Sequence, residues 1–301
     1  MPRDGFLNLL KPPGMTSHDA VTFLRSRLRM RRIGHLGTLD PAAAGVLPIA
    51  IGRATRLLDY TSGVSKAYRA EITFGITTDT LDADGSVTAK GDASALTRLQ
   101  LLTLLTRFIG DIQQTPPAHS AAQIDGKRSH RLARRGETPA NKPKTVRIDS
   151  IDLVGFWPGS RARALVDVVC GAGTYIRSLA ADLGEAVGCG AYLSFLVRTR
   201  AGRFQLSDAL TLEECQSAFE RGELPGLILP PDWPLAHLPE VNLDVAASPR
   251  FSQGTPMPLD APDAESVRVY SASRRLLGIA AVREGRLRPR VVLSGPGEGE
   301  E

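Results

Sequence analysis

The sequence predicts an α+β fold with two unequal domains. Helical and strand patterns both occur along the 301 residues, without the regular β-α-β alternation of a parallel α/β sheet. Segments 145–156 and 161–170 are successive strands, and short apolar runs separated by Pro and Gly after residue 240 are typical of a small β domain. The proline-rich segment 222–240 closes the preceding helical stretch, so we predict domains 1–236 and 237–301.

The first quarter of the chain combines strands with one helix. Residues 6–10 predict a short strand that ends at the sequence KPPG, because Pro cannot donate to a strand ladder. Ser17 can cap a helix whose apolar positions recur at helical spacing. These positions are Val21, Leu24 and Leu28. The apolar run 46–51 predicts a buried strand, and the alternating pattern of 65–75 predicts another.

Two further helices are predicted over 94–108 and 173–187, and another helical stretch begins near Ser207. The buried stripe of the second of these helices consists of Ile176, Leu179, Ala180, Leu183 and Val187. Tyr175 and Arg177 lie off the centre of this stripe, near the first turn, where a cation opposes the helix dipole. We therefore expect Arg177 to have a specific anionic partner.

Positive charge is clustered along the chain. The sequence has 37 Lys and Arg residues against 32 Asp and Glu, which gives a net charge of +5. Five arginines occur within residues 25–32, and residues 127–135 carry five cations without an acid. Both segments favour a partner that bears phosphates. A solvated helix face could have the same composition, so this alternative stays open for the second segment.

The cysteines and the N-terminal sequence argue against several classes of protein. Cys170, Cys189 and Cys215 lack the paired spacing of a zinc cluster, and we interpret them as reduced thiols that pack in the fold. The first residues contain no long apolar run before Pro12, which argues against a signal peptide or a membrane span. We expect a cytoplasmic protein, and we predict that residues 294–301 are disordered.

The segment RRIGHLGTLDPAAAGVLP isolates one acid, Asp40, among Gly, Pro, Ala and aliphatic residues. Three glycines allow tight turns or close backbone approach, and Pro41 pushes Asp40 towards an extended conformation. An Asp before Pro in a loop is commonly a turn former. The arginines of 25–32 weaken that interpretation, because they place the carboxylate beside a surface that suits phosphates.

This segment resembles the TruB-type pseudouridine synthases, whose signature reads G-H-x-G-x-L-D-P-x-A-x-G-x-L. The sequence GHLGTLDPAAAGVL matches it at every fixed position. The resemblance implies that Asp40 is the catalytic nucleophile and that the catalytic domain has a mixed, mainly antiparallel sheet of the pseudouridine synthase type. It continues weakly into LPEVNLDVAASPRFSQGTPM, which is similar to the start of a small PUA-type RNA-binding domain.

The resemblance implies roles for several other residues around the nucleophile. Tyr68 in KAYRAEITFG matches a tyrosine that stacks on the target base, and Arg177 matches the arginine that pairs with the aspartate. Leu196 in SFLVRTRAG falls where a leucine packs against the base. Lys11 and Pro12 match the K-P-x-G-x-x-S segment beside the catalytic loop, and we predict that they contact the RNA substrate there. Core packing is the alternative for Tyr68 and Leu196, and a strand-ending turn is the alternative for Lys11 and Pro12.

Residues that contact the RNA are implied in the same way. A stacked base must be flipped out of the RNA to reach the aspartate. In the family the histidine of the G-H-x-G segment fills the vacancy, and His35 matches it. The basic segment supplies candidate phosphate contacts at Arg131, Arg134 and Arg135. The chain departs from the family pattern at His119, Gln123 and His130, which places its finer RNA preference in question.

The function implied is conversion of uridine 55 in the TΨC arm of tRNA to pseudouridine. The expected enzyme is a monomer that needs no cofactor, metal, guide RNA or protein partner. A non-catalytic tRNA-binding protein on the same scaffold is the main alternative, but it would be expected to lack Asp40, Tyr68 or Arg177. An aspartyl-phosphate enzyme is disfavoured, because the motif lacks the additional magnesium-binding carboxylates that phosphoryl transfer normally needs.

Overall fold

A mixed, mainly antiparallel sheet forms the larger part of the protein. The computed structural model describes residues 4–61, 63–118, 123–124, 127–128 and 141–293. The path of the large sheet runs through β1 Gly5–Lys11, β3 Ala44–Ile51, β12 Ala191–Ala201, β4 Lys66–Phe74, β11 Arg163–Cys170, β10 Lys144–Trp157 and β7 Gly110–Gln114. Two short strands extend it, β2 Ile33–His35 beside β3 and β13 Phe204–Gln205 beside β12. Among these pairings only β3 with β12 is parallel.

A second sheet lies in the C-terminal part of the chain. In sheet order its strands are β14 Glu240–Asn242, β16 Ala264–Tyr270, β17 Leu276–Arg283, β18 Arg286–Val292 and β15 Met257–Pro258. Two separate two-stranded sheets pair β5 Ile76–Thr78 with β6 Val87–Lys90, and β8 Gln123–Ile124 with β9 Lys127–Arg128. The short strands predicted after residue 240 are therefore present as a separate β-rich sheet.

The described α-helices are α1 Ser17–Leu28, α2 Leu58–Thr61, α3 Arg98–Leu105, α4 Ile176–Val187, α5 Leu212–Glu220 and α6 Ala247–Ser252. Short 3₁₀ turns occupy Gly52–Leu57, Thr106–Phe108, Leu206–Asp208, Leu224–Leu227 and Trp233–Leu235. Within the described ranges, no helix combines the length and the apolar character that a membrane crossing needs.

Strands β1 and β3 are buried on both faces of the sheet. In β1, Leu7 and Leu9 belong to the main core, whereas Phe6 packs in a second cluster on the other face of the sheet. That second cluster also contains Tyr270 and Ile279 of the C-terminal sheet. Successive residues of a strand face opposite sides, so a strand covered on both sides needs a continuous apolar run. This explains the run VLPIAI in β3.

Helix starts differ from the predicted positions for local reasons. The predicted N-cap Ser17 is wrong, because Thr16 caps α1 in a capping box with Asp19. The hydroxyl of Ser17 instead accepts a hydrogen bond from Leu39 N at 2.9 Å and donates to Leu39 O at 3.1 Å. Helix α4 begins at Ile176 rather than at residue 173. These two hydrogen bonds connect α1 to Leu39, the residue before Asp40, and the candidate site lies at this loop.

Candidate active site

The loop between β2 and β3 carries Asp40, and close packing against β12 fixes its shape. Gly45 has a φ of +114°, and a Cβ there would lie 2.6 Å from Arg198 N. Only glycine fits such an approach without a shift of the backbone. Together with the bonds between Ser17 and Leu39, this contact holds the residues on both sides of Asp40. The sequence-based expectation of a held acid therefore has a structural cause.

Lys11 fixes the other side of the same loop. It is fully buried, and its Nζ donates to Pro12 O at 2.8 Å, Met15 O at 2.7 Å and Pro41 O at 3.2 Å. Burial lowers the pKa of the Lys11 ammonium to about 8, although the nearby Asp40 carboxylate opposes this change. An enclosed ammonium that bonds three carbonyls has no surface for RNA. The enclosure of Lys11 therefore differs from its predicted contact with RNA. Pro12, which follows it in the chain, is half-buried.

Arg177 forms a two-pronged ion pair with Asp40. Its Nε lies 2.9 Å from Asp40 Oδ2, and its Nη2 donates to Asp40 Oδ1 at 3.1 Å. The Arg177 side chain is 6% exposed, whereas 39% of the Asp40 side chain is exposed. The guanidinium is therefore enclosed while the carboxylate still faces open space. Such a bidentate pair fixes the orientation of the carboxylate as well as its charge.

A second carboxylate completes the surroundings of Arg177. Its Nη1 lies 3.4 Å from Asp82 Oδ2 and donates to Thr80 O at 3.1 Å. Burial raises the pKa of Asp40, and the negative charge of Asp82 raises it further. Arg177 opposes both effects, because a nearby positive charge favours the ionised carboxylate. Sequence reasoning missed Asp82, although the acid-rich stretch TTDTLDADG was a usable signal.

A pocket of about 210 Å³ opens beside the exposed carboxylate of Asp40. Tyr68 of β4, Leu196 of β12 and Arg177 of α4 line it, together with Lys66. The structure thus brings together Asp40, Tyr68, Arg177 and Leu196 from four separate segments of the chain. Within the described ranges, no group of three or more His, Cys, Asp or Glu side chains is arranged to hold a metal.

Tyr68 and Arg198 are neighbours across β4 and β12. They face each other in the register of these strands, and the Tyr68 hydroxyl interacts with the Arg198 guanidinium. Burial raises the pKa of Tyr68, while Arg198 opposes this by favouring the phenolate. Sequence reasoning missed Arg198, because the segment SFLVRTRAG does not show which of its two arginines is buried. Lys66 was also missed.

Of the remaining predicted RNA contacts, His35 lies within the described residues and the three arginines do not. His35 is half-buried at the end of β2, opposite Ile49 of β3. It directly precedes the loop that carries Asp40, as the motif requires. Residues 129–140, which contain Arg131, Arg134 and Arg135, lie outside the described residues. The predicted disordered segment 294–301 and the departures His119 and His130 lie outside them as well, and the Gln123 side chain is not described.

Comparison with known families decides between the alternatives. Residues 25–176 match the TruB family pseudouridylate synthase N-terminal domain. Residues 177–236 match the tRNA pseudouridylate synthase B C-terminal domain, and residues 239–293 match the C-terminal domain of pseudouridine synthase II TruB. The chain belongs to the TruB family of pseudouridylate synthases. As a TruB-family member it is an isomerase, as the resemblance of its aspartate loop implied.

Relatives of this TruB-family chain match most of its length. A tRNA pseudouridine synthase B of Symbiobacterium thermophilum is 51% identical over 251 residues, which are 83% of this chain and 82% of the relative. The enzyme of the same name from a Synechococcus strain is 48% identical over 298 residues, which cover 98% of this chain and 99% of the relative.

A solved Cbf5-Nop10-Gar1 complex contains a chain with the same fold. That chain has a TM-score of 0.74 and 24% identity, over 97% of this chain and 85% of its own length. An archaeal box H/ACA Nop10-Cbf5 complex gives a TM-score of 0.74 at 23% identity, over 97% and 87% of the two chains. At this identity the likeness concerns the fold, and it confirms the predicted α+β class with a C-terminal β-rich part.

Proposed function

We propose that this TruB-family synthase converts uridine 55 in the TΨC arm of tRNA to pseudouridine. The observation that carries the proposal is the carboxylate of Asp40, which is held by Arg177 and faces a pocket beside Tyr68. Relatives that match nearly the whole chain bear the name tRNA pseudouridine synthase B, which supports tRNA as the substrate. We further propose that the enzyme is a cytoplasmic monomer that acts on tRNA without a guide RNA, a protein partner or a cofactor.

In this proposal Asp40 is the nucleophile. The N-glycosidic bond breaks, the uracil rotates, and its C5 bonds to ribose C1′ while the C5 hydrogen leaves and N1 gains a proton. Attack at uracil C6, attack at ribose C1′ and elimination through a glycal all require an ionised Asp40. Arg177 supports that state, because its guanidinium favours the carboxylate over the carboxylic acid.

The target uracil has to leave the RNA stack to enter the pocket. Unstacking costs a few kcal/mol and is offset by contacts in the pocket and with the surrounding RNA. We propose that the ring of Tyr68 stacks on the flipped uracil and that Leu196 packs against its edge, since both line the pocket beside Asp40. His35 would fill the vacancy in the RNA. A planar ring can replace a base by stacking between its neighbours.

Phosphate contacts outside the pocket would come from basic segments. Arg131, Arg134 and Arg135 stay predicted RNA contacts, and the arginines of residues 25–32 lie next to the loop in sequence. Lys11 has another role in this proposal. Because it binds Pro41 O, it holds the chain directly after Asp40 and so orients the nucleophile without touching RNA.

The domain division is part of the same proposal. We propose that residues 1–236 form the catalytic domain and that residues 237–301 form a small RNA-binding domain of the PUA type. The five-stranded sheet beginning at Glu240 supports this division. The shared cluster that includes Phe6 and Ile279 would then keep the second domain in a defined position relative to the catalytic sheet.

Pseudouridine mapping on tRNA tests the proposal directly. Purified protein is incubated with unmodified tRNA alone, and every pseudouridine formed is located along the RNA. We expect one modified position, uridine 55, without any added RNA or protein. Asp40→Asn, which keeps the size of the side chain, should abolish the product and leave tRNA affinity within about fivefold, because phosphates dominate binding.

Four results would contradict the proposal. Retained turnover by Asp40→Asn would remove the nucleophile assignment. Modification at a different uridine would overturn the site specificity, and a requirement for a guide RNA would overturn the proposed independence. A wild-type protein that binds tRNA tightly but forms no pseudouridine would favour the non-catalytic alternative.

A further inference from the structure

Lys66 brings a positive charge into the pocket beside Asp40. It is the first residue of β4 and lines the pocket with Asp40 and Tyr68. A methyl group placed on Gly37 would lie 3.5 Å from Lys66 Nζ and 3.5 Å from Arg198 Nη1. The two cationic nitrogens are therefore no more than about 7 Å apart. Both are directed at the same point of the loop that carries the nucleophile.

No carboxylate pairs with Lys66 within the part of the chain that the structure describes. Its ammonium has no hydrogen bond and no ion pair there. Arg198 is fully buried and donates instead to Val46 O at 2.7 Å and Gly37 O at 3.0 Å. Burial lowers the pKa of Lys66, and the adjacent Arg198 guanidinium lowers it further, although the nearby Cys170 thiol opposes this change. A half-buried cation beside another cation is thus left with open donors in the free protein.

The chemistry of RNA identifies what would satisfy these donors. Uracil and ribose are neutral, and the full negative charges of the RNA are on its phosphates. An ammonium is a compact point charge with three donors, which suits a phosphate oxygen. A nucleotide whose uracil enters a pocket of about 210 Å³ has a phosphate on each side of its ribose. Lys66 lines that pocket, so a phosphate next to the ribose is the candidate partner of its ammonium.

We propose that Lys66 binds a phosphate that borders the flipped uridine and thereby positions the ribose over Asp40. The proposal rests on the proposed function, because it takes an RNA strand as the ligand of the pocket. It deepens that function by naming the residue that fixes the sugar, whereas Tyr68 and Leu196 contact the base.

Substrates with one neutral linkage test the contact. Two TΨC stem-loops are made, with a methylphosphonate at the phosphate 5′ or 3′ of the target uridine. The variants are Lys66→Met, which keeps an unbranched apolar chain, and Lys66→Arg, which keeps the charge. Lys90→Met is the matched control, because Lys90 is an exposed lysine that does not line the pocket. Dissociation constants are measured at several salt concentrations, and kcat and KM are measured on the same RNAs.

We expect Lys66→Met to weaken RNA binding by about 5- to 50-fold and to reduce the salt slope by about 0.7 to 0.9, as for one lost phosphate contact. Lys66→Arg should retain most of the affinity. One of the two neutral linkages should weaken wild-type binding to a similar degree, and it should have almost no further effect on Lys66→Met. Lys90→Met should behave like wild type.

Two outcomes would overturn the proposal. If the effects of the neutral linkage and Lys66→Met multiply at both positions, Lys66 does not bind a bordering phosphate. If Lys66→Met lowers kcat with unchanged affinity and salt slope, it acts on the reaction instead. Thermal melting of each variant shows whether it is folded. Failure of the proposed function is distinct, because wild-type enzyme would then form no pseudouridine in any of these RNAs.

Discussion

Two cationic regions near Asp40, one formed by Arg177 and the other by Lys66 and Arg198, differ in how their charge is balanced. Arg177 contacts two carboxylates, Asp40 and Asp82, and is enclosed with them. Lys66 and Arg198 have no carboxylate partner among the described residues, and carbonyl oxygens satisfy only the arginine. The charge of Arg177 is balanced by carboxylates in the absence of RNA, whereas the Lys66 ammonium still has hydrogen-bond donors without a partner in the described part of the chain.

The proposed action on a flipped nucleotide requires two tasks, and this difference separates them. In the proposed mechanism the carboxylate of Asp40 needs a fixed orientation and a supported charge before the substrate arrives, and the pair with Arg177 supplies both. Substrate binding instead needs groups whose best partner is in the RNA. Leaving Lys66 without an acid keeps its charge available for that partner, at the cost of some unfavourable burial.

The largest effect on activity is expected when Arg177, the cation that two carboxylates balance, is removed. Arg177→Met leaves Asp40 and Asp82 as two neighbouring acids without a counter-charge, so kcat should fall by about 10²- to 10⁴-fold. Because Arg177 lowers the pKa of Asp40, the acid limb of the activity profile should move to higher pH. The residual kcat of the Arg177→Met variant is measured as a function of pH and compared with that of the wild type. A nearly normal kcat would show that the pair does not support the nucleophile.

Arg198, the fully buried arginine near Lys66, should contribute to the stability of the fold. Arg198→Met removes donors from Val46 O and Gly37 O, and we expect the free energy of unfolding to fall by about 1–3 kcal/mol. Urea denaturation of the variant and the wild type measures the difference. An unchanged or increased stability would mean that removal of a buried charge outweighs the lost hydrogen bonds.

The basic segment of residues 127–135 extends the comparison beyond the pocket. Replacing Arg131, Arg134 and Arg135 together by Ala should weaken tRNA binding by about 10-fold or more and reduce the salt slope by up to about 2 to 3, if each arginine binds a phosphate. Binding titrations at several salt concentrations measure both quantities. An unchanged slope would identify the segment as a solvated face and would leave Lys66 as a larger share of the salt dependence.

The smallest effect is expected from the second acid. Asp82→Asn removes a negative charge that raises the pKa of Asp40, so the acid limb of activity should shift to lower pH. The plateau rate should fall by about tenfold or less, because Arg177 keeps its bidentate contact with Asp40. A shift to higher pH would contradict this electrostatic arrangement.

Much of the local structure could be predicted from residue patterns. The strands predicted at 6–10, 46–51 and 65–75 are present within a residue or two of their predicted ends. The dipole argument for Arg177 required an anion near the first turn of its helix, and Asp40 occupies that place. Predictions of caps were less successful, because Thr16 and Ser17 can both cap a helix and only the position of Leu39 determines which one does.

The sequence by itself determined the nucleophile candidate, its glycine-rich loop and the family, because these depend on adjacent residues in a long motif. The tertiary structure decided which charges are balanced. Lys66 lines the pocket, Arg198 lies opposite Tyr68 and Asp82 contacts Arg177 only because separate segments of the chain converge around Asp40. Spacing along the chain carries no record of that convergence. It also decided that Lys11 is enclosed, since burial depends on what the rest of the chain places around a side chain.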